Sequence, residues 1–168
     1  SISILLLAIV GPMTIASNSI QNAVFAKEQT TAVFLAQEAI EGIYYFRNNH
    51  GLENISDPDH DTWAWVGSPS GVPGACIGGG QACLFDWENK QMRTCDSDSD
   101  CDLYLESSGT IRYNHNSGDE TPYNRKLYIE NAGDSGLKVR SVVTWYSNAF
   151  AEDRQVELVT YIKDIYAE

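Results

Sequence analysis

Residues 1–16, SISILLLAIVGPMTIA, carry no charge, and their apolar run is interrupted by Gly11-Pro12. From Ser17 to about Asn48 the pattern becomes amphipathic. Val33, Ala36, Ile40 and Ile43 recur at three- and four-residue spacing and predict one apolar helical stripe, with Lys27, Glu28, Gln37, Glu38, Glu41 and Arg47 on the other faces. Asn48-Asn49-His50-Gly51 supplies a stop. A helix running from the apolar segment to residue 48 is a rod of roughly 70 Å at 1.5 Å per residue. No compact domain of this size needs such a rod, so half of it is expected to protrude.

Residues 49–81 lose periodicity: SDPDHDTW (56–63) and GSPSGVPGACIGGG (67–80) are dense in turn formers. Strand signals follow. DLYLES (102–107) and TIRYN (110–114) flank Ser108-Gly109 and predict a hairpin. YNRKLYIEN (123–131) places Leu127 and Ile129 on one face. GLKVRSVVTWYS (136–147) sets Leu137, Val139, Val143 and Trp145 against Lys138, Arg140, Thr144 and Tyr146. RQVELVTYIKD (154–164) sets Val156, Leu158 and Ile162 against Gln155, Glu157 and Lys163, with NAFAEDR as the turn before it. The expected fold is α+β: a long N-terminal helix, its apolar half protruding and its C-terminal half packed on an antiparallel β-sheet. A sheet with one greasy face needs a cover, and the stripe at Val33, Ala36, Ile40 and Ile43 is the amphipathic helix able to lie against Val143 and Trp145. The expected organisation is 1–16 as apolar membrane-helix segment, 17–48 as packing helix, and 49–168 as head, with 49–101 as a variable Cys-rich loop region.

Composition narrows the function. Net charge is −12, from 23 acidic residues against 11 basic. Such a surface repels phosphate backbones, so nucleic acid is not an expected partner, and anionic lipid headgroups are disfavoured for the soluble part. Cys76, Cys83, Cys95 and Cys101 leave six, eleven and five residues between neighbours. The absence of C-x-x-C lowers the zinc and thioredoxin readings. An even count in a loop-rich window predicts two disulfides in an oxidising compartment, with three connectivities open. The window is expected to be too polar to bury free thiols. As for the apolar start, no Lys or Arg precedes Lys27 to make a signal-peptide n-region. A complete membrane span needs about 20 apolar residues, and proline inside a core helix breaks a hydrogen bond. The expectation is a membrane helix whose first part lies outside this chain.

CDSDSDCD (95–102) places Asp96, Asp98, Asp100 and Asp102 at alternate positions, a pattern by which short loops wrap oxygens round calcium. An EF-hand register from Asp96 fails, with Cys101 at the sixth position and Ser107 at the twelfth. A looser calcium loop and a solvated acidic loop both stay open, and no cofactor is required. Asp57, Asp59, His60 and Asp61 form a weaker version, read as an ordinary turn. Nothing points to catalysis: GSPSG has proline at its centre, GGG at 78–80 lacks the following Lys-Ser/Thr, and His50, His60 and His115 lack H-E-x-x-H spacing. An enzyme is not expected. Asn54-Ile55-Ser56 is a glycosylation sequon. Trp63 and Trp65 suit either a sugar-stacking role or a cap on the sheet's end.

The apolar helix with its Gly11-Pro12, continuing as SNSIQNAVFAKEQTTAVFLAQEAIEGIYYFRNN (17–49), resembles type IV pilins and pseudopilins. It is closest to the minor-pilin branch with a prepilin-type cleavage and methylation signal. TPYNRKLYIE (121–130) resembles that branch's Thr-Pro-aromatic-x-Arg opening of a strand. LKVRSVVTWYSNAFAEDRQVELVTYIKD (137–164) resembles its closing hairpin. The resemblance implies a structural subunit held in the inner membrane before assembly, then packed with copies of itself or other pilins in an extracellular helical filament. Gly11 and Pro12 would let the filament-core helix stretch locally. The alternatives it implies are a minor or tip subunit with a ligand-binding, adhesin role, and a type II secretion pseudopilin. The family's N-methylated phenylalanine and assembly glutamate match no residue here, which fits a chain starting about ten residues into a ~20-residue span.

Overall fold

A computed structural model describes residues 2–53, 66–67, 71–78, 80–107, 109, 111–133, 136–147 and 149–163, with helix side chains from 13 to 49. The aspartates of 57–61, His60, the sequon at 54–56, Trp63 and Trp65 lie outside the described residues, as do the side chains of Gly11, Pro12 and His50.

Helix α1 spans Ile2–Glu53, 52 residues, or about 78 Å. It passes through Gly11-Pro12 and runs beyond the stop expected at Asn48–Gly51. Asn and Gly each cost a helix interior no more than about 1 kcal/mol, and a helix already anchored by packing propagates at that cost. From Met13 to Val24 every residue is exposed, Met13 at 71 %, Ile15 at 72 % and Ile20 at 66 %. Among the described residues no helix is long and apolar enough to cross a membrane.

The buried stripe differs from the expected one. Ala36 and Ile43 are buried as predicted, but Val33 and Ile40 sit half-buried on its flanks. The centre of the stripe is Ala32, Leu35, Ala36, Ala39, Gly42, Ile43 and Phe46. Small residues win the contact face because they let the helix axis approach the sheet. A Cβ built on Gly42 would lie 2.6 Å from the Phe85 ring.

The strands are β1 (Val66–Gly67), β2 (Val72–Pro73), β3 (Cys83–Asp86), β4 (Gln91–Thr94), β5 (Asp102–Glu106), β6 (Arg112–Asn114), β7 (Asp119–Asn131), β8 (Gly136–Ser147) and β9 (Glu152–Lys163). β1 and β2 make a small parallel pair, while β3 to β9 form one antiparallel sheet. The β5–β6 hairpin and β7, β8 and β9 stand where alternation predicted them, with Leu127, Ile129, Leu137, Val139, Val143, Trp145 and Ile162 buried under α1. The β3–β4 hairpin lies inside the window expected to be loop. All of β3 is buried, so it lacks the alternation that marks a strand.

One edge of β7 pairs along its length with β8. The other is shared by β5 near its start, β3 at Leu127 and a single bridge from Ile77 to Ile129. The β5–β7 register slips between Asp102 and Tyr104, where Pro122 falls. Proline has no N–H for the ladder and is confined to such irregularities. The Thr121 hydroxyl donates instead to the Leu103 carbonyl (2.5 Å).

Candidate functional site

Two apolar clusters cover the sheet's inner face. One gathers Ala32, Leu35, Ala36, Leu103, Tyr123, Val143 and Trp145. The other runs from Ala39, Ile43 and Phe46 to Phe85, Leu127, Ile129 and Val139. Alternation along β7 places Arg125 between Tyr123 and Leu127, inward, and it is 1 % exposed. Its Nη1 donates to the Leu35 carbonyl (3.1 Å) and to Glu38 Oε2 (2.9 Å). Its Nη2 donates to His115 Nε2 (3.2 Å) and to the Phe85 carbonyl at 3.5 Å. A buried cation needs such partners, because leaving it bare costs several kcal/mol. Burial lowers the guanidinium's pKa, and the Glu38 carboxylate opposes this.

His115 is delivered by a tight link between β6 and β7. Asn114 Oδ1 accepts from the backbone N–H groups of Asn116 and Ser117, both at 2.8 Å. Gly118 closes the link at φ 128°, where a Cβ would strike the Leu105 carbonyl. A guanidinium cannot accept a hydrogen bond, so His115 Nε2 is the bare nitrogen and Nδ1–H donates to the Asp102 carbonyl (3.0 Å). Burial, reinforced by the Arg125 charge, lowers the imidazole pKa to about 3.

A second polar contact lies ten residues earlier on the helix, about 15 Å along its axis. Glu28 Oε2 accepts from Ser147 Oγ (2.7 Å) and Trp145 Nε1 (3.3 Å), and the Glu28 carbonyl accepts from Tyr123 Oη (3.3 Å). Glu28 and Glu38 therefore face the sheet, whereas the pattern placed them on the helix's outer faces. The two contacts fix α1 in translation and rotation. From Met13 to Lys27 the helix is exposed apart from half-buried Phe25, which sits edge-on to Phe150 (5.2 Å). The Thr-Pro-aromatic-x-Arg stretch is thus a docking device: Thr121 caps a carbonyl at the irregularity, and Tyr123 and Arg125 reach the helix.

The cysteines form two disulfides, Cys76–Cys83 and Cys95–Cys101, with no free thiol. Of the three open connectivities, the fold selects neighbour with neighbour. All four are buried as half-cystines rather than as free thiols. β3 turns Cys83 toward the core, and Leu84 packs with Cys95 and Cys101 in a satellite cluster.

The four aspartates of the acidic loop each have a different partner. Asp96 accepts from Thr94 Oγ1 (2.9 Å), Asp98 pairs with Lys126, Asp100 accepts from Ser97 N–H (2.8 Å), and Asp102 accepts from Asn124 Nδ2 (2.8 Å). The Ser97 hydrogen bonds hold the Asp100 carboxyl below its ordinary range. Among the described residues no group of three or more His, Cys, Asp or Glu is placed together as metal ligands. Asp86, which no pattern singled out, is buried at the end of β3. Burial opposes its ionisation, but hydrogen bonds from Asn116, Asn89 and Glu88 outweigh this and lower its pKa.

Compared with known proteins, the chain matches no family model, no curated protein and no solved structure.

Proposed function

We propose that this chain is a structural subunit of a type IV pilus or related filament that assembles through α1 and catalyses no reaction. The observation that supports this reading is the division of one continuous helix. Its C-terminal half is clamped to the sheet by Arg125 and Glu28, while residues 13–24 are exposed and include Met13, Ile15 and Ile20. Burying those three side chains contributes about 1.5–3 kcal/mol each, or roughly 5–9 kcal/mol together. Association costs on the order of 4–15 kcal/mol per partner. A single pairwise contact is therefore marginal, and cohesion requires several neighbours around each helix, as in a helical filament. The partners are copies of this chain or related subunits, with the apolar segment held in the inner membrane before assembly and the filament outside the cell.

The test compares the full chain with a version starting at Ser17, by sedimentation and negative-stain microscopy. The shortened version should be a soluble monomer, and the full chain should need detergent or form filaments. A full chain that is monomeric in plain buffer would overturn the reading, because residues 1–16 would then have found a partner within the head.

A further inference from the structure

On the sheet's outer face, Asn124 of β7 stands opposite Thr144 of β8, which stands opposite Gln155 of β9. Residues in register on neighbouring strands point the same way and lie about 5 Å apart. One step along, Tyr146 faces Asp153, with Pro122 on the β7 side. These residues and Asp98, from the disulfide-closed turn, line an open hollow of about 550 Å³, within the size range of small-ligand sites.

We infer that this hollow is a binding site for a neutral saccharide. A pyranose has an apolar C–H face and a rim of hydroxyls, each both donor and acceptor. Tyr146, 48 % exposed, and Pro122 supply the apolar plate. The Thr144 and Gln155 side chains have no hydrogen-bond partner among the described residues, and a threonine hydroxyl and a glutamine amide both donate and accept. Asn124, 9 % exposed, gives its Nδ2 to the Asp98 carbonyl (2.7 Å) and to Asp102 (2.8 Å), which fixes the amide's orientation. Its Oδ1 is buried and has no donor among the described residues. Charge excludes acidic sugars. Lys126 is paired with Asp98 and Arg154 with Glu152, while Asp153 adds a carboxylate to the lining. Among the described residues that line the hollow, the cation is Arg154, already ion-paired with Glu152, so a sialylated or sulfated glycan gains little charge compensation there.

The test applies the full chain, in a detergent without a sugar headgroup, to an array of neutral oligosaccharides and their sialylated and sulfated counterparts, then titrates the best neutral binder by calorimetry. Neutral glycans should be retained and acidic ones not. Tyr146→Ala should weaken binding roughly tenfold, and Gln155→Ala roughly fivefold. Tyr161→Ala, which removes a still more exposed aromatic on the same face outside the hollow, should bind as wild type. Melting curves check that each variant folds, and exposed Gln155 keeps the test decisive if Tyr146→Ala does not. The inference is overturned by retention of no neutral glycan, by preference for acidic glycans, by wild-type binding in both hollow variants, or by equal loss in Tyr161→Ala. It does not rest on the filament reading: a chain that binds sugar but never assembles would leave it standing.

Discussion

Acidification tests the Arg125–His115 contact directly. In the folded chain His115 titrates near 3, against 6.5 for an ordinary imidazole, because it is buried beside the Arg125 guanidinium. Between those values the unfolded chain binds a proton that the folded chain does not, so stability falls as pH falls. The contribution is fully present above the unfolded value and is lost progressively below it, toward the folded one. At about pH 4.5 the unfolded imidazole is two units below its pKa while the folded one is still neutral. The loss relative to neutral pH is then about 2.7 kcal/mol, at 1.36 kcal/mol per unit. Carboxylates titrate in the same window, so the comparison needs a reference variant. His115→Gln serves, since a glutamine oxygen can accept from Arg125 and its amide can donate to the Asp102 carbonyl. Urea unfolding followed by circular dichroism from about pH 7 to 4.5 should show a steeper decline in the wild type than in His115→Gln, with a difference of about 2–3 kcal/mol. Parallel declines, or a His115 ring titrating near 6.5 by NMR, would refute the buried neutral imidazole.

Other outcomes follow from the same packing. Gly42→Ala should destabilise by roughly 1–2 kcal/mol despite alanine's higher helix propensity, because the new methyl meets the buried Phe85 ring; a raised melting temperature would show that the helix stands off further. Arg125→Leu should cost about 3 kcal/mol, the low end for breaking a buried pair, since Glu38 is one-third exposed and regains water, and Arg125→Lys should recover little by chemical denaturation, as one ammonium cannot span the same acceptors. Trypsin digestion without reduction should release residues 48–90 and 94–112 as separate, internally bridged peptides, whereas a mixed peptide would contradict the neighbour pairing. Millimolar calcium should leave the melting temperature where EGTA leaves it, since the four loop aspartates are met by protein groups; a clear rise would show that the ion regroups them.

The long helix and strands β5 to β9 were legible in the sequence because their signals are one-dimensional. Alternation at Leu137, Val139, Val143 and Trp145 names a buried face without reference to what covers it; along β7 it was read at Leu127 and Ile129, and the structure extends that face to Arg125. What covers the face is another matter. Hydrophobicity favoured Val33 and Ile40, but the contact went to Ala32, Ala39 and Gly42, because the closest approach of helix to sheet is a steric optimum that a transfer scale does not weigh. β3 escaped notice because a strand buried on both faces has no alternation to show. The cysteine pairing, the separate partners of the loop aspartates, and the joining of Arg125 to Leu35 and Glu38 across 90 and 87 residues were decided by the tertiary structure alone. Each depends on which distant backbone is brought within 3 Å, and a buried charge takes its meaning from the groups that meet it there.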